Sequence, residues 1–342
     1  MAITKDSFPQ TANRVDLAVA FREGRSVVPD TSYKMLLMSE NSNSNAKEVV
    51  FYGSKGRLRR FRGERQSQSF EEYKYFARLD DWEMTHDFSR NLIADDQSGG
   101  LLERKIRSFG TDIENSLEEE TLVYLRQGVS KLGFDKANLF DFSHAYVNSS
   151  GVTVTDFTQS NMDLSNIGIT TNSIEAAQFH FANLKDDKGK QFKGKMTHAM
   201  VRRGSQNAFR AKEIVNSTFA PSPTVNDNTI NVLADFSVIE VDYGIGVSEW
   251  IALDLSSSEN LPILALEHAS APGMNNMEFT ALTDPGDTEQ TYRTNNYSVG
   301  VYGRFDWNVG DWRSAYLFGS SSTVVPTAGP DFESQQYGDP NA

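Results

Sequence analysis

The chain has 342 residues, 38% of them hydrophobic, and a formal net charge of -13. That length can bury a sizeable core, and the absence of cysteine excludes disulfides and thiolate metal sites. The acidic total argues against a dedicated nucleic-acid binder, whose affinity for phosphate needs positive potential over a surface.

The opening "MAITKDSFPQTANR" has no apolar stretch of signal-peptide length, and no run approaches a membrane span. The chain therefore reads as soluble, and made and used inside a cell. Residues 1–45 are polar and mixed, with "SENSNSN" low in complexity. They read as an extended arm that buries too little apolar surface to order before it meets a partner. The stretch "YGSKGRLRRFRGER" then gathers Lys55, Arg57, Arg59, Arg60, Arg62 and Arg65 against the single acid Glu64, with Tyr52 and Phe61 interleaved. The sign reverses over 69–96, where Glu71, Glu72, Asp80, Asp81, Glu83, Asp87, Asp95 and Asp96 outnumber the cations, and partial alternation predicts strand.

Residues 98–128 form the clearest helix. Leu102, Ile106, Phe109, Ile113 and Leu117 recur three or four apart as one stripe, and Gly99, Gly100 and Gly128 bracket the element. At 1.5 Å per residue it is about 40 Å long, which suits a structural spine. A second helix is predicted over 173–187, with Asn172 as cap and Ile174, Ala177, Phe181 and Leu184 as its stripe. The strand "MTHAMVRR" and a short helix near 206–215 follow. In "INVLADFSV" the even positions from Ile230 to Val238 are apolar, and the phase then shifts to Ile239, Val241, Tyr243 and Ile245, as at a bulge. In "YSVGVYGRFDW", Tyr297, Val299, Val301, Phe305 and Trp307 share one face. The tail after Gly319 reads as extended chain reaching a neighbour, with Pro326, Pro330 and Pro340 disfavouring regular structure. The class is α+β without an evident linker.

Motifs for chemistry are sparse. "GKQFKGKM" has most of a phosphate loop's spacing, but Met196 stands where the magnesium-binding hydroxyl belongs, and the order helix then strand is reversed. "GIGVSE" lacks the third glycine of a dinucleotide fingerprint. His144 in "LFDFSHAY" lies near Asp141, an acid-base pair in principle, although a scattered histidine is more often packed than catalytic. No catalytic, cofactor-binding or metal-ligating set emerges. The arginine stretch has two readings: contact with nucleic acid, or pairing with acidic segments of another copy at Glu71, Glu72, Asp80 and Asp81 or at Glu114, Glu118, Glu119 and Glu120.

The order arm, charged hairpin, spine helix, sheet domain resembles the Hong Kong 97 type fold of tailed-phage major capsid proteins, and in detail the Mu-like major head subunit family. The likeness runs over about 50–320 and is carried by "GRLRRFRGER", "LIADDQSGGLLERKI", "NLFDFSHAYVNSSG", "SIEAAQFHFANLKDDKGKQF", "EWIALDLSS", "LPILALEHA" and "YSVGVYGRFDWNVGDWRSAYLFGSS". "LALEHASAPGM" departs from the family's Gln and Arg in that strand, and the tail extends past the family's usual end at Gly319.

The resemblance implies an N-terminal arm over 1–49, an extended loop over 50–97, a peripheral domain with the spine over 98–200, a mainly axial domain over 201–310, and a return to the peripheral domain with the tail over 311–342. It also implies a non-enzymatic subunit without cofactors. Such a subunit forms hexamers and pentamers of itself in the head of a phage assembled in the bacterial cytoplasm. The implied partners are a separate scaffold, a portal, a cement or decoration protein, and packaged DNA held without sequence-specific contact; no membrane is involved. In such shells the extended loop reaches over a neighbour, so the basic residues Lys55, Arg57, Arg59, Arg60, Arg62 and Arg65 would meet acidic surface. Three alternatives stand: an encapsulin-like compartment shell, a nucleic-acid-binding module using Lys55 to Arg65, and an enzyme using His144 and Asp141.

Overall fold

The computed structural model describes residues 14–28, 32–53, 60–61, 63, 65, 72–89, 100–146, 152–153, 158–165, 168–217, 231, 233–282 and 296–319. Its longest helix, α2 (Leu101–Gln127), follows Gly100 in the left-handed region at φ 95, a conformation a side chain disfavours. Ile106, Phe109, Ile113 and Leu117 are buried and Leu102 is half-buried, so the predicted stripe faces the core.

The arm departs from expectation. Arg14–Val27 is a helix, α1, with Leu17, Ala20 and Phe21 buried. It lies against α2 along a seam of two glycines. A Cβ on Gly24 would sit 2.0 Å from the Arg107 carbonyl oxygen, and one on Gly110 would sit 2.3 Å from that of Phe21. The backbones touch, and Thr111 Oγ1 donates to the Gly24 carbonyl at 3.1 Å. Phe21 also stacks on Phe279 at 4.8 Å. A short 3-10 turn (Ser32–Leu36) buries Tyr33 and Leu36. Residues 14–28 and 32–42 therefore pack within the subunit, the helix because small residues let it meet α2 closely enough to gain dispersion contacts along both backbones.

Two sheets and a ribbon complete the fold. The first sheet combines β1 (Leu37–Ser42), β4 (Asp80–Ser89), β9 (Ile263–His268), β10 (Glu278–Leu282) and β11 (Asn296–Val309). β1 runs parallel to β9, and the long β11 pairs antiparallel with β9, β10 and β4. Val299, Val301, Phe305 and Trp307 are buried on β11, as the alternation predicts, and Trp307 Nε1 donates to Thr121 Oγ1 at 2.9 Å, tying this sheet to α2. The second sheet has the order β5 (Met162–Asp163), β12 (Ala315–Phe318), β8 (Trp250–Leu253), β6 (His198–Arg202), β7 (Ser237–Val241). The ribbon pairs β2 (Ala46–Tyr52) with β3 (Glu72–Arg78). One buried cluster runs through all these layers.

Sheet membership cuts across the expected segments. β9, β10 and β11 join the arm and loop strands beside the spine, while β12, near the C-terminus, enters the second sheet. Of the strand predicted from Ile230, Ile230 and Val232 lie outside the described residues, and the described strand β7 begins at Ser237. Asn231 braces the chain there: its side-chain amide donates to the carbonyls of Ile214 and Ser217, and its oxygen accepts the Leu233 N–H. The helix α3 (Thr171–Asn183) starts two residues early, capped by Thr170, whose side chain accepts the Ser173 N–H at 3.1 Å while Ser173 Oγ accepts the Thr170 N–H at 2.8 Å. The helix α4 (Gln206–Asn216) is capped by Ser205.

Candidate assembly interface

The ribbon has two unlike faces. Val49, Phe51, Tyr73 and Ala77 are buried, with Phe51 stacked on Phe134 at 4.6 Å. Val50, Tyr52 and Phe76 face outwards, Phe76 with 68% of its surface exposed. The alternation of a strand thus leaves apolar side chains on the outer side of the hairpin.

Of the predicted contact residues, Lys55, Arg57, Arg59, Arg62 and Glu71 lie outside the described residues. Arg60 and Arg65 are exposed, as are Glu72, Asp80 and Asp81. Asp81 accepts from the Tyr302 hydroxyl at 2.8 Å and sits 3.5 Å from Arg304 Nε, both across the β4–β11 pair. Glu119 and Glu120 are half-buried on α2.

Glu114 and Glu118 require correction: both are buried, at 2% and 7% exposure, and neither is surface for a second subunit. Glu114 lies four residues after Gly110 and three before Leu117, on the core side of α2. Its carboxylate accepts from Arg25 Nε at 3.1 Å, Arg25 Nη2 at 2.8 Å and Tyr33 Oη at 3.2 Å, and pairs with Lys34 Nζ. Burial alone would raise this carboxyl, but the hydrogen bonds from Lys34 and Arg25 outweigh it and hold it below the usual range. The residue fastens the N-terminal segment to the spine from within.

Glu120 borders a groove of about 670 Å³ between the start of β4, the C-terminal half of α2 and β11. Tyr75, Trp82, Tyr124 and Trp307 supply aromatic walls, and Trp82 meets Trp307 edge-on at 4.9 Å. Its charged lining is Asp80, Glu120 and Asp306 against Arg78 and Lys131. Burial, with Asp80 nearby, pushes the Asp306 carboxyl up to about 6, although the Trp307 N–H donates to it at 2.8 Å.

The candidate chemistry of the sequence resolves into structure. His144 is fully buried, with Asp135 at 2.7 Å from Nδ1 and Asn161 Oδ1 at 2.9 Å from Nε2, and it stacks on Trp312 at 4.0 Å. Its acidic neighbour is Asp135 rather than Asp141, which instead accepts backbone N–H groups of its own turn. A histidine sealed on all sides cannot reach a substrate. In the lysine-rich turn the Asp186 carboxylate accepts the N–H groups of Lys188 and Lys190, which removes the donors a phosphate would need. The buried pairs Arg126–Glu249 and Arg313–Asp311 staple α2 to the second sheet and close the turn before β12.

Comparison with known proteins agrees with this arrangement. The family model described as Mu-like prophage major head subunit gpT matches residues 12–169. The match thus begins two residues before α1, well ahead of the region near 50 where sequence likeness was expected to start, and ends at 169 rather than near 320. A solved procapsid of bacteriophage JBD30 superposes with a TM-score of 0.50 at 19% identity, covering 92% of this chain and 76% of that chain. The capsid structure of the cyanophage P-SCSP1u gives a TM-score of 0.50 at 7% identity, covering 84% and 86%. At these identities the likeness is one of fold. No curated protein matches the sequence. The chain thus resembles the Mu-like major head subunit family over residues 12–169 and shares the Hong Kong 97 type fold of solved phage capsids.

Proposed function

We propose that the chain is the major capsid protein of a tailed phage, building as hexamers and pentamers the icosahedral head around double-stranded DNA. The observation that carries this is the match to a head-subunit family across α1, the ribbon and the spine, on a fold shared with solved phage capsids. The role is structural. His144 and Asp141 serve packing and turn formation, and the protein performs no catalytic step. Its partners are further copies of itself, with a separate scaffold, a portal and a decoration protein completing the head in the bacterial cytoplasm. The acidic total suits a wall facing packaged DNA, because it repels phosphate and leaves the genome free to move. Lys55, Arg57, Arg59, Arg60, Arg62 and Arg65 act between subunits, meeting carboxylates that include Asp80, Glu119 and Glu120.

The test is expression of the chain followed by electron microscopy and nuclease digestion of particles from infected cells. Closed shells with nuclease-protected double-stranded DNA are expected. Shells holding only protein cargo would favour a compartment shell, and a soluble monomer with salt-sensitive DNA affinity would favour the nucleic-acid module.

A further inference from the structure

We propose that the lysine-rich turn at 185–195, with the small cavity beside it, is a contact for the phosphate backbone of the packaged DNA. This rests on the shell reading and deepens it by naming residues that touch the genome. Five lysines and two aspartates carry the charge of this segment, and the fold sorts them. Asp186 and Asp187 are buried, at 5% and 3% exposure, while Lys185, Lys188, Lys193 and Lys195 are exposed and Lys190 is half-buried. Asp186 Oδ1 accepts the N–H groups of Lys188 at 3.0 Å and Lys190 at 2.7 Å. The Asp187 carboxylate accepts the Tyr73 hydroxyl at 3.3 Å, and a bridge between Lys185 and Gln191 closes the hairpin. Both acids are thus spent inside the fold. The solvent face of the turn carries positive charge alone, in a chain of net charge -13.

The cavity adds donors next to these ammonium groups. Its volume is about 150 Å³, and Lys193, Ser256, Ser257, Asn260 and Arg313 line it. The Ser257 hydroxyl accepts from the Glu259 N–H at 3.3 Å and from the Asn260 amide at 3.4 Å, so its own hydrogen is left to donate. Asp254 also stands at the wall, where its carboxylate accepts the N–H groups of Lys195 at 2.8 Å and Ser256 at 3.0 Å, so that two amide dipoles face its charge.

The chemistry favours a polyphosphate over an acidic protein surface. Protein contacts depend on aromatic or arginine anchors. The turn presents none, since Leu184, Phe192 and Met196 are buried. Its cations are lysines, hydrated point charges that neutralise phosphate without the paired geometry of arginine. With the backbone N–H groups of Lys188 and Lys190 taken by Asp186, contact falls to the side chains. Such contacts carry no sequence information. The acidic remainder of the chain confines adhesion to this point, so the genome is held locally and repelled elsewhere.

Lysine labelling tests the proposal. Full particles from infected cells are reductively methylated with light formaldehyde and shells emptied of DNA with heavy formaldehyde, and their peptides are compared by mass spectrometry. Labelling of Lys188, Lys190 and Lys193 should be several-fold slower in the full particles. Equal labelling overturns the proposal. If the equal rates are also slower than in unassembled subunits, the turn meets protein instead. Empty shells in inorganic phosphate separate the two sources of phosphate. Protection there equal to that in full particles marks a site for a free anion and overturns the assignment to DNA. Unassembled subunits give a second readout. Changing Lys188, Lys190 and Lys193 together to Gln should lower the salt slope for short duplex DNA by about 2.7, because each phosphate contact contributes about 0.9. An unchanged slope overturns the proposal and leaves the shell reading intact. Absence of any shell containing this chain overturns both.

Discussion

Removing the Glu114 carboxylate should release α1 from the spine without unfolding the rest of the subunit. Glu114→Ala removes the carboxylate partner of Tyr33 and leaves Arg25 only the carbonyls of Met274 and Asn275, and Arg25 and Tyr33 are 12% and 1% exposed. Breaking a buried pair on one side costs about 3–5 kcal/mol. Lys34 is 37% exposed and can return to water, so the lower end, about 3 kcal/mol, is the better expectation. At about 1.4 kcal/mol per decade, this raises the opening of the segment roughly a hundredfold. Hydrogen exchange of the amides of Leu17 to Gly24 in unassembled subunits reads that opening directly. The pH sign follows from the lowered carboxyl: the contribution is complete at neutral pH. It is lost as the pH falls below about 4.3, the ordinary glutamate value, and through the lower folded value. Wild-type α1 should therefore exchange faster in acid, and Glu114→Ala should abolish that acid dependence. Unchanged exchange in the variant at neutral pH would refute the role assigned to Glu114.

Phe109 is 1% exposed in the spine stripe, so Phe109→Ala should cost about 3–5 kcal/mol in a urea melt; a neutral result would contradict the packing. Gly110→Leu drives a side chain into the Phe21 carbonyl, a backbone group that cannot rotate away, and should displace α1 at about 3 kcal/mol or more, read by faster tryptic cleavage at Arg22 and Arg25. Asp306→Asn should stabilise the free subunit by about 1–2 kcal/mol at pH 7 and by little at pH 4. The raised carboxyl favours folding below its unfolded value and loses that contribution as the pH rises through about 6, so equal melting gains at both pH values would contradict the assignment. Arg57, Arg59 and Arg60 reversed together to Glu should leave the subunit melt unchanged and abolish assembly in DNA-free reactions; normal assembly with loss of genome would return the segment to nucleic-acid contact. Each exposed pair contributes only about 0–1 kcal/mol, and the effect arises from repetition over the lattice.

The spine was legible because five large apolar residues repeat at helical spacing, and β11 because its alternation persists for a whole strand. α1 was not, since its seam uses Gly24 and Gly110, residues that carry little hydrophobic signal but permit close approach. The run "IENSLEEE" reads as a solvated face by composition, yet Glu114 occupies a core-side position because Arg25, Lys34 and Tyr33, some 80 to 90 residues earlier, converge on it. His144 shows the same limit. Asp141 is nearer in sequence, and the turn at 135–141 brings Asp135 to the ring instead. The groove assembles from three distant segments, so no local pattern announces it. The expected extended tail lies outside the described residues.

Cryo-electron microscopy of the particles that contain this chain, purified from infected cells, tests the central claim most directly. The account predicts closed icosahedral shells of hexamers and pentamers, each subunit carrying α1 against the spine and β11 across the first sheet. A chain that remains a monomer under conditions where its fold is intact, or that assembles only as open non-icosahedral polymers, would contradict it.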